Sequence, residues 1–358
     1  MTINWGKPPS DNIKLEDCEW YHRMEVPGID TEQVTGTDVF STWDKNRSIV
    51  DGVKNKISDT YLGVNRDKIL GTGDKLTPSI SFDLREDIGN ILGNLDMKNK
   101  KVLNLGSITG HLSFESERRG ADVTSIDLSV DPSLMAKEQA TERDVVPRAH
   151  DNWKFDLREF MDREVLRRNA FWYAHKALKS KSRMVISHAN NLPKELETHD
   201  IGVIFSVLVH IRDPFLALQR MCSHVNEKMV VTELGGYPIY IFKYIPASTY
   251  IWIRNSIANF LAKYDTLLHK LPNFINKRLF RNKPTMTFLP NMDRSVFKWW
   301  KFQPETLIAM LKVLGFGNAK VNYHYYLHAK SGQKVWNFTV VAERIVPMEE
   351  CDYNYDAN

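Results

Sequence analysis

Between residues 101 and 127 the apolar pattern changes period three times. Lys101-Val-Leu-Asn-Leu105 reads as a short buried strand, Gly106-Ser-Ile-Thr-Gly110 breaks it, and residues 112–121 follow as an amphipathic helix. Asp122-Val-Thr-Ser-Ile-Asp127 then returns to strand spacing and ends on an acid. The pattern repeats downstream. Residues 199–210 form an apolar, β-rich run expected to be a buried central strand, residues 211–221 begin a helix, and residues 228–234 supply another strand. Asp213 is placed to cap that helix, with Pro214 at its first position. Residues 183–187 predict a strand and 188–193 the loop beyond it. Helical spacing recurs at 81–92, 169–178 and 303–315, the last stopped by Gly315, and 319–327 and 335–344 predict two final strands. Strands alternating with helices predict an open α/β sheet of Rossmann-like, doubly wound type.

Composition narrows the class. The chain has 358 residues, 42% of them hydrophobic, enough for such a core with additions, and a formal net charge of only +4. The cysteines Cys18, Cys222 and Cys351 are far apart and make no metal-type spacing, so reduced structural thiols are expected. No metal site is read from the sequence. The first ten residues lack a basic flank followed by an apolar core, and a cytoplasmic protein is expected.

The candidate chemistry sits at the turns. Gly106 and Gly110 bracket a turn where a ligand lies against bare backbone if no Cβ blocks it. Asp127 stands where dinucleotide-type folds keep the acid for ribose hydroxyls. The spacing Gly-x-x-x-Gly lacks the third glycine that seats a pyrophosphate. That absence points away from NAD and toward an adenosyl ligand without phosphates, S-adenosylmethionine. His210, following the buried strand at the carboxyl edge of the sheet, is a candidate general base or acceptor-positioning donor, or else a local hydrogen-bonding residue. Arg212 either holds an anionic acceptor or pairs with Asp213 or Glu233.

Residues 112–121, the run Val207-Leu-Val-His-Ile-Arg-Asp-Pro-Phe-Leu-Ala-Leu218 and the early Trp20-Tyr-His22 resemble class I S-adenosylmethionine-dependent methyltransferases. More narrowly they resemble the group related to the tRNA wobble-uridine carboxymethyltransferase. The resemblance covers roughly residues 15–235 and returns near 302–344. It implies a cofactor site drawn from Asn104, Gly106, Ser107, Thr109, Gly110, Asp127, Leu128, Phe205 and the loop asparagines Asn190 and Asn191, either of which meets the adenine or is a turn residue. It also implies that Trp20, Tyr21 and His22 help close the active site, beside the alternative that they anchor the extension. Tyr237 completes the candidate substrate contacts. Two departures stand out. Asn104 replaces the family's usual acid near the methionine amino group, exchanging a charge-assisted bond for a neutral one. Val209 stands where the wobble-uridine enzyme has a pocket tyrosine for the extra carboxylate of its donor, which favours plain S-adenosylmethionine.

The expected organisation is an N-terminal extension, 1–98, docked by its aromatics; an α/β core, 99–236; an insertion, 237–301; and completion of the core, 302–346 by a helix and a hairpin with one antiparallel strand. The insertion holds eleven lysines and arginines against Asp265 and Asp293, interleaved with aromatics. A lid over the substrate, a nucleic-acid surface and a membrane-surface or lipid-linked-substrate site all suit that composition. Lys243 and Arg254 interrupt its apolar run, which argues against a spanning helix. The expected activity is methyl transfer to oxygen or nitrogen of a small metabolite or glycan. The alternatives are a tRNA-modifying methyl- or carboxymethyltransferase and a non-catalytic binding module on the same fold.

Overall fold

In the computed structural model, residues 3–29, 82–128, 157–235, 284–288, 299–328, 332 and 334–351 are described. Among them nine strands form one sheet: β1 (His22–Arg23), β2 (Phe82–Asp83), β3 (Lys101–Leu105), β4 (Asp122–Asp127), β5 (Arg183–Ile186), β6 (His199–Phe205), β7 (Val225–Leu234), and, after a separate pair β8 (Met286–Phe288) and β9 (Trp300–Phe302), β10 (Phe316–His328) and β11 (Lys334–Arg344). Their order is β1-β2-β10-β11-β7-β6-β3-β4-β5. Strands β3 to β7 are all parallel, and β11 runs antiparallel between β7 and β10. The chain proceeds from β3 outward to β4 and β5, then crosses back to β6 and β7. The order therefore reverses between β3 and β6, the place where open α/β sheets leave a crevice beyond the strands' carboxyl ends.

Helices cover both faces: α1 (Ile88–Ile91), α2 (His111–Arg118), α3 (Leu157–Ala177), α4 (Pro214–Cys222) and α5 (Pro304–Val313). Val102, Val123, Val203 and Val230 pack with Ile88, Ile91 and Leu112 on one face, while Leu103, Ile126, Ile204 and Val231 pack with Leu218, Met221, Leu307 and Leu311 on the other. Alternate residues of one strand thus serve opposite cores, as a strand buried on both faces requires. The Asp213 carboxylate accepts from the Leu216 N–H at 3.0 Å with Pro214 following, so the expected cap forms.

Three expectations are corrected. The helical spacing at 81–92 marks buried positions, since Leu84, Ile88, Ile91 and Leu92 are all buried, yet only Ile88–Ile91 is helical. Phe82 and Asp83 are drawn instead into the sheet by pairing with β1 and β10, a tertiary contact that overrides local periodicity. The strand expected over 199–210 ends at Phe205, because Ser206 takes a left-handed backbone (φ 51°) and Leu208–His210 form a 3-10 turn. The sheet as a whole has more than one reversed strand, since β1 and β2 run with β11.

Residues 3–29 behave as a strap. Near their start, the Gly6 N–H donates to the Met184 carbonyl and the Ile186 N–H to the Asn4 carbonyl, which closes the outer edge of β5. Further on, Trp20 is fully buried with Phe114, Phe171 and Trp172, and β1 joins β2 at the opposite edge. Residues 30–81 and 236–283, with Tyr237 and most of the basic insertion, lie outside the described residues. No described helix is long and apolar enough to cross a membrane.

Candidate active site

The turn after β3 has three left-handed residues, Gly106 (φ 81°), Ile108 (φ 49°) and Gly110 (φ 87°). Ile108 is β-branched, so its conformation is strained by roughly 1–3 kcal/mol and must be held by its surroundings. The Asp127 carboxylate holds it. Oδ2 accepts from the Ser107 hydroxyl and the Ile108 N–H, both at 2.9 Å, and lies 3.4 Å from Arg168 Nη2. Oδ1 accepts from the Leu128 N–H at 2.8 Å, and the Leu128 carbonyl accepts from Arg168 at 2.8 Å.

The glycines are required by protein packing. A Cβ on Gly106 would lie 2.5 Å from a Val207 methyl, and one on Gly110 would lie 2.4 Å from the Phe114 ring and 2.7 Å from Phe171. The bare backbone expected from the sequence is therefore faced by side chains at both glycines.

Beneath the turn, Asn104 donates to the Ser113 hydroxyl at 2.8 Å, and Ser113 meets Ser125 at 2.7 Å. Asn104 is 1% exposed, and its Oδ1 has no hydrogen-bond partner among the described residues. Thr109 is fully buried, its hydroxyl 3.5 Å from His22 Nδ1.

His22 comes to the reversal point from the strap. Its ring meets His111 edge-on at 5.9 Å, tilts against Phe205 at 6.2 Å and lies beside Tyr21, whose ring in turn packs against Phe82. Phe205 continues the aromatic wall to Tyr326 at 5.7 Å. His22 Nε2 and His111 Nδ1 are buried without a partner among the described residues, and so is the Ser206 hydroxyl. Burial, then the His111 ring and the Arg167 guanidinium, hold His22 well below the usual imidazole pKa. Burial likewise brings His111 down to about 4.

The strap is fixed by buried charge. Arg167 on α3 reaches Glu19 at 3.1 Å and Glu164 at 2.6 Å, with its guanidinium 4.9 Å from the Tyr21 ring centroid. Burial raises the Glu164 pKa, with the Asp127 charge adding to it and Arg167 opposing. Trp20 serves as the anchor, while Tyr21 and His22 reach the site.

The remaining candidates are placed as follows. His210 is half-buried on its 3-10 turn. The Val209 carbonyl accepts from the Trp299 N–H at 2.7 Å, and the Arg212 carbonyl from Trp300 Nε1 at 3.1 Å, so this turn faces β9. Val209 itself is buried in the core. Asn190 is half-buried and Asn191 exposed, both in a turn where the His188 ring and carbonyl accept their N–H groups. Sequence reasoning missed His111, Ser206, Arg167 and Arg168, and named Glu233 only as a possible partner of Arg212. The Glu233 carboxylate, fully buried at the end of β7, accepts from the Leu208 N–H at 2.8 Å. An acid ending a strand and an arginine pair on a helix are visible signals, but their partners, Leu208 for Glu233, Asp127 for Arg168 and Glu19 of the strap for Arg167, are brought together only by the fold. A cleft of about 350 Å³ opens between α1 and β10, with Tyr326 of the aromatic wall in its lining. Its His324 is held between Asp87 and the Thr339 hydroxyl.

No protein-family model matches the chain, and no curated protein matches it. Solved structures give distant likenesses. Magnesium protoporphyrin IX methyltransferase from Synechocystis PCC 6803, with bound S-adenosylhomocysteine, is 10% identical over 86% of this chain and 91% of its own, with TM-score 0.40. A SAM-dependent methyltransferase from Methanosarcina mazei is 16% identical over 72% and 97%, with TM-score 0.36. The N-terminal domain of EvdMO1, in the presence of S-adenosylhomocysteine and D-fucose, is 13% identical over 84% and 99%, with TM-score 0.38. At identities and TM-scores this low the likenesses carry no weight of their own; the order and direction of the strands define the Rossmann-like architecture.

Proposed function

We propose that this protein is an S-adenosylmethionine-dependent methyltransferase. The observation that carries the reading is the use of the turn's donors by Asp127. In a site for a phosphate-bearing nucleotide, the Ser107 hydroxyl and Ile108 N–H would be free for an anion. Here a carboxylate takes both, and its charge repels a phosphate. An adenosyl ligand without phosphates is compatible with that arrangement. Oδ1 has a single donor among the described residues, so it retains a lone pair for a ribose hydroxyl. The unpartnered Asn104 Oδ1 accepts from the ligand's amino group, and buried Asp127 and Glu233 favour its sulfonium charge.

When bound, the ligand supplies an activated methyl group. The chain's own residues orient the reactants and exclude water. Gly106, Ser107, Thr109 and Gly110 shape the turn, Leu128 follows the acid and bonds Arg168, Phe205 walls the crevice, and Asn190 or Asn191 lies on the adenine side. His210 and Arg212 position the acceptor, an oxygen or nitrogen of a small metabolite or glycan. With Val209 in the core, the plain donor is preferred over the carboxylated one. A tRNA acceptor, as the resemblance to the wobble-uridine group implies, is the second reading and rests on the basic insertion. Co-purifying RNA and a steep loss of binding with salt would favour it.

The test is calorimetric titration of the full chain with S-adenosylmethionine, S-adenosylhomocysteine and NAD. The two adenosyl-sulfur ligands are expected to bind and NAD to give no heat. Asp127→Asn, which keeps the shape but loses the charge, is expected to weaken binding by about tenfold. NAD binding would overturn the reading of a phosphate-free ligand, and no effect of the substitution would overturn the ribose assignment.

A further inference from the structure

We infer that His22 faces the position of the transferred methyl group and accepts the acceptor's proton. The inference rests on the methyltransferase reading and adds a residue of the strap to its chemistry. The ribose end of the ligand belongs at Asp127, after β4. Its sulfur end then extends past the turn after β3 toward the end of β6. His22 stands between these two, against Thr109 on one side and Phe205 on the other.

Buried polar nitrogens are normally paired. His22 is 3% exposed, yet Nε2 has no partner among the described residues, and the same holds for Nδ1 of the adjacent His111. The His111 ring also interacts with the Arg23 backbone, on the strand that carries His22. With the His22 proton on Nδ1, toward the Thr109 hydroxyl, Nε2 presents a lone pair. The charged and titratable groups around it are His111 from α2 and Arg167 from α3. Together with burial they keep the ring neutral before transfer, and the imidazolium formed takes over the positive charge that the sulfonium loses, which buried Asp127 and Glu233 favour.

As the acceptor's oxygen or nitrogen bonds to the methyl carbon, the carbon–sulfur pair goes to sulfur, and the proton leaves to Nε2. The product is a thioether, the methylated acceptor and an imidazolium. The fully buried Thr109 and the ring wall of Phe205 and Tyr326 keep water from competing for that proton.

The test needs no knowledge of the acceptor. Sinefungin carries an amino group where the donor carries its methyl, whereas S-adenosylhomocysteine carries nothing there. A lone pair facing that position bonds the amine and favours sinefungin. Wild-type protein is expected to bind sinefungin about tenfold more tightly than S-adenosylhomocysteine. His22→Phe should remove that preference while leaving S-adenosylhomocysteine binding within about twofold, and His22→Gln, which keeps an acceptor, should retain part of it. Nitrogen-15 histidine spectra of the wild type guard against a variant that fails to fold: the Nε2 resonance of His22 should move with sinefungin and stay with S-adenosylhomocysteine. Equal affinity of the wild type for both ligands, survival of the preference in His22→Phe, or an unmoved resonance would overturn the role of His22. Failure of both ligands to bind would instead remove the methyltransferase reading, and His22 with it.

Discussion

The two ends of the parallel strands use basic–acidic pairs under opposite conditions. At the amino ends, Lys101 pairs with Glu197, Arg183 with Glu197 at 2.7 Å and Lys100 with Glu227 at 2.7 Å, all with side chains about a third or more exposed. At the carboxyl ends, Arg167 holds Glu19 and Glu164 with all three at most 14% exposed, and Arg168 faces Asp127 with both below 10%. Glu197 is pulled to about 2 by its bonds to Lys101 and Arg183, yet water and salt screen those pairs. A large shift in a solvated group therefore stores little stability, while buried charge is costly and is kept where its surroundings satisfy it. The expensive electrostatics are concentrated at the crevice.

Four changes would break or sharpen this contrast. The largest effect is expected for Arg167→Met, which leaves Glu19 and Glu164 buried without their cation. A loss of about 3–5 kcal/mol in denaturant unfolding is expected, and a loss within error would show that the strap is not held by this group. Next comes acid. His111 has a folded pKa of about 4 against 6.5, as has His199, so the unfolded chain takes up more protons between these values. Stability is complete above pH 6.5 and falls as pH drops toward 4, by up to about 3 kcal/mol for His111 alone. Melting curves from pH 7 to 5 should show this, flattened in His111→Gln; a slope unchanged by the substitution would contradict it. Ile108→Gly should relieve left-handed strain by about 1 kcal/mol while giving back part of that as chain entropy, so an unchanged or slightly raised melting temperature is expected. A clear fall would mean that packing of the Ile108 side chain outweighs the strain. Smallest is Lys101→Ala, for which no resolvable change in melting temperature is expected at physiological salt, and a clear drop would blur the contrast between the ends.

The elements around β3, β4, β6 and β7 were legible because buried strands and capped helices write their periods locally. Asp213 capping α4 and Gly315 ending the helix before β10 are local chemistry of that kind. The site was legible in its residue types more than in their partners. Asp127 was read correctly as an acid at the end of a strand, but nothing in the spacing shows that Ser107 and Ile108 fill one of its oxygens. Gly106 and Gly110 read as openings for a ligand, but Val207 and Phe171, from distant parts of the chain, and Phe114, one helical turn on, face them. The helix expected at 81–92 failed for the same reason, since the partners of Phe82 and Asp83 lie at the far end of the sequence.

The strap also sets the order in which the molecule can be assembled. His22 belongs to a strand whose neighbour, β2, pairs among the described residues with Leu327 and His328 of β10. The pairing of β1 with the sheet therefore waits for the hairpin of β10 and β11, a long-range closure that slows folding. A chain lacking that hairpin would have the turn, the acid and the central strands, yet no partner for the edge that carries His22.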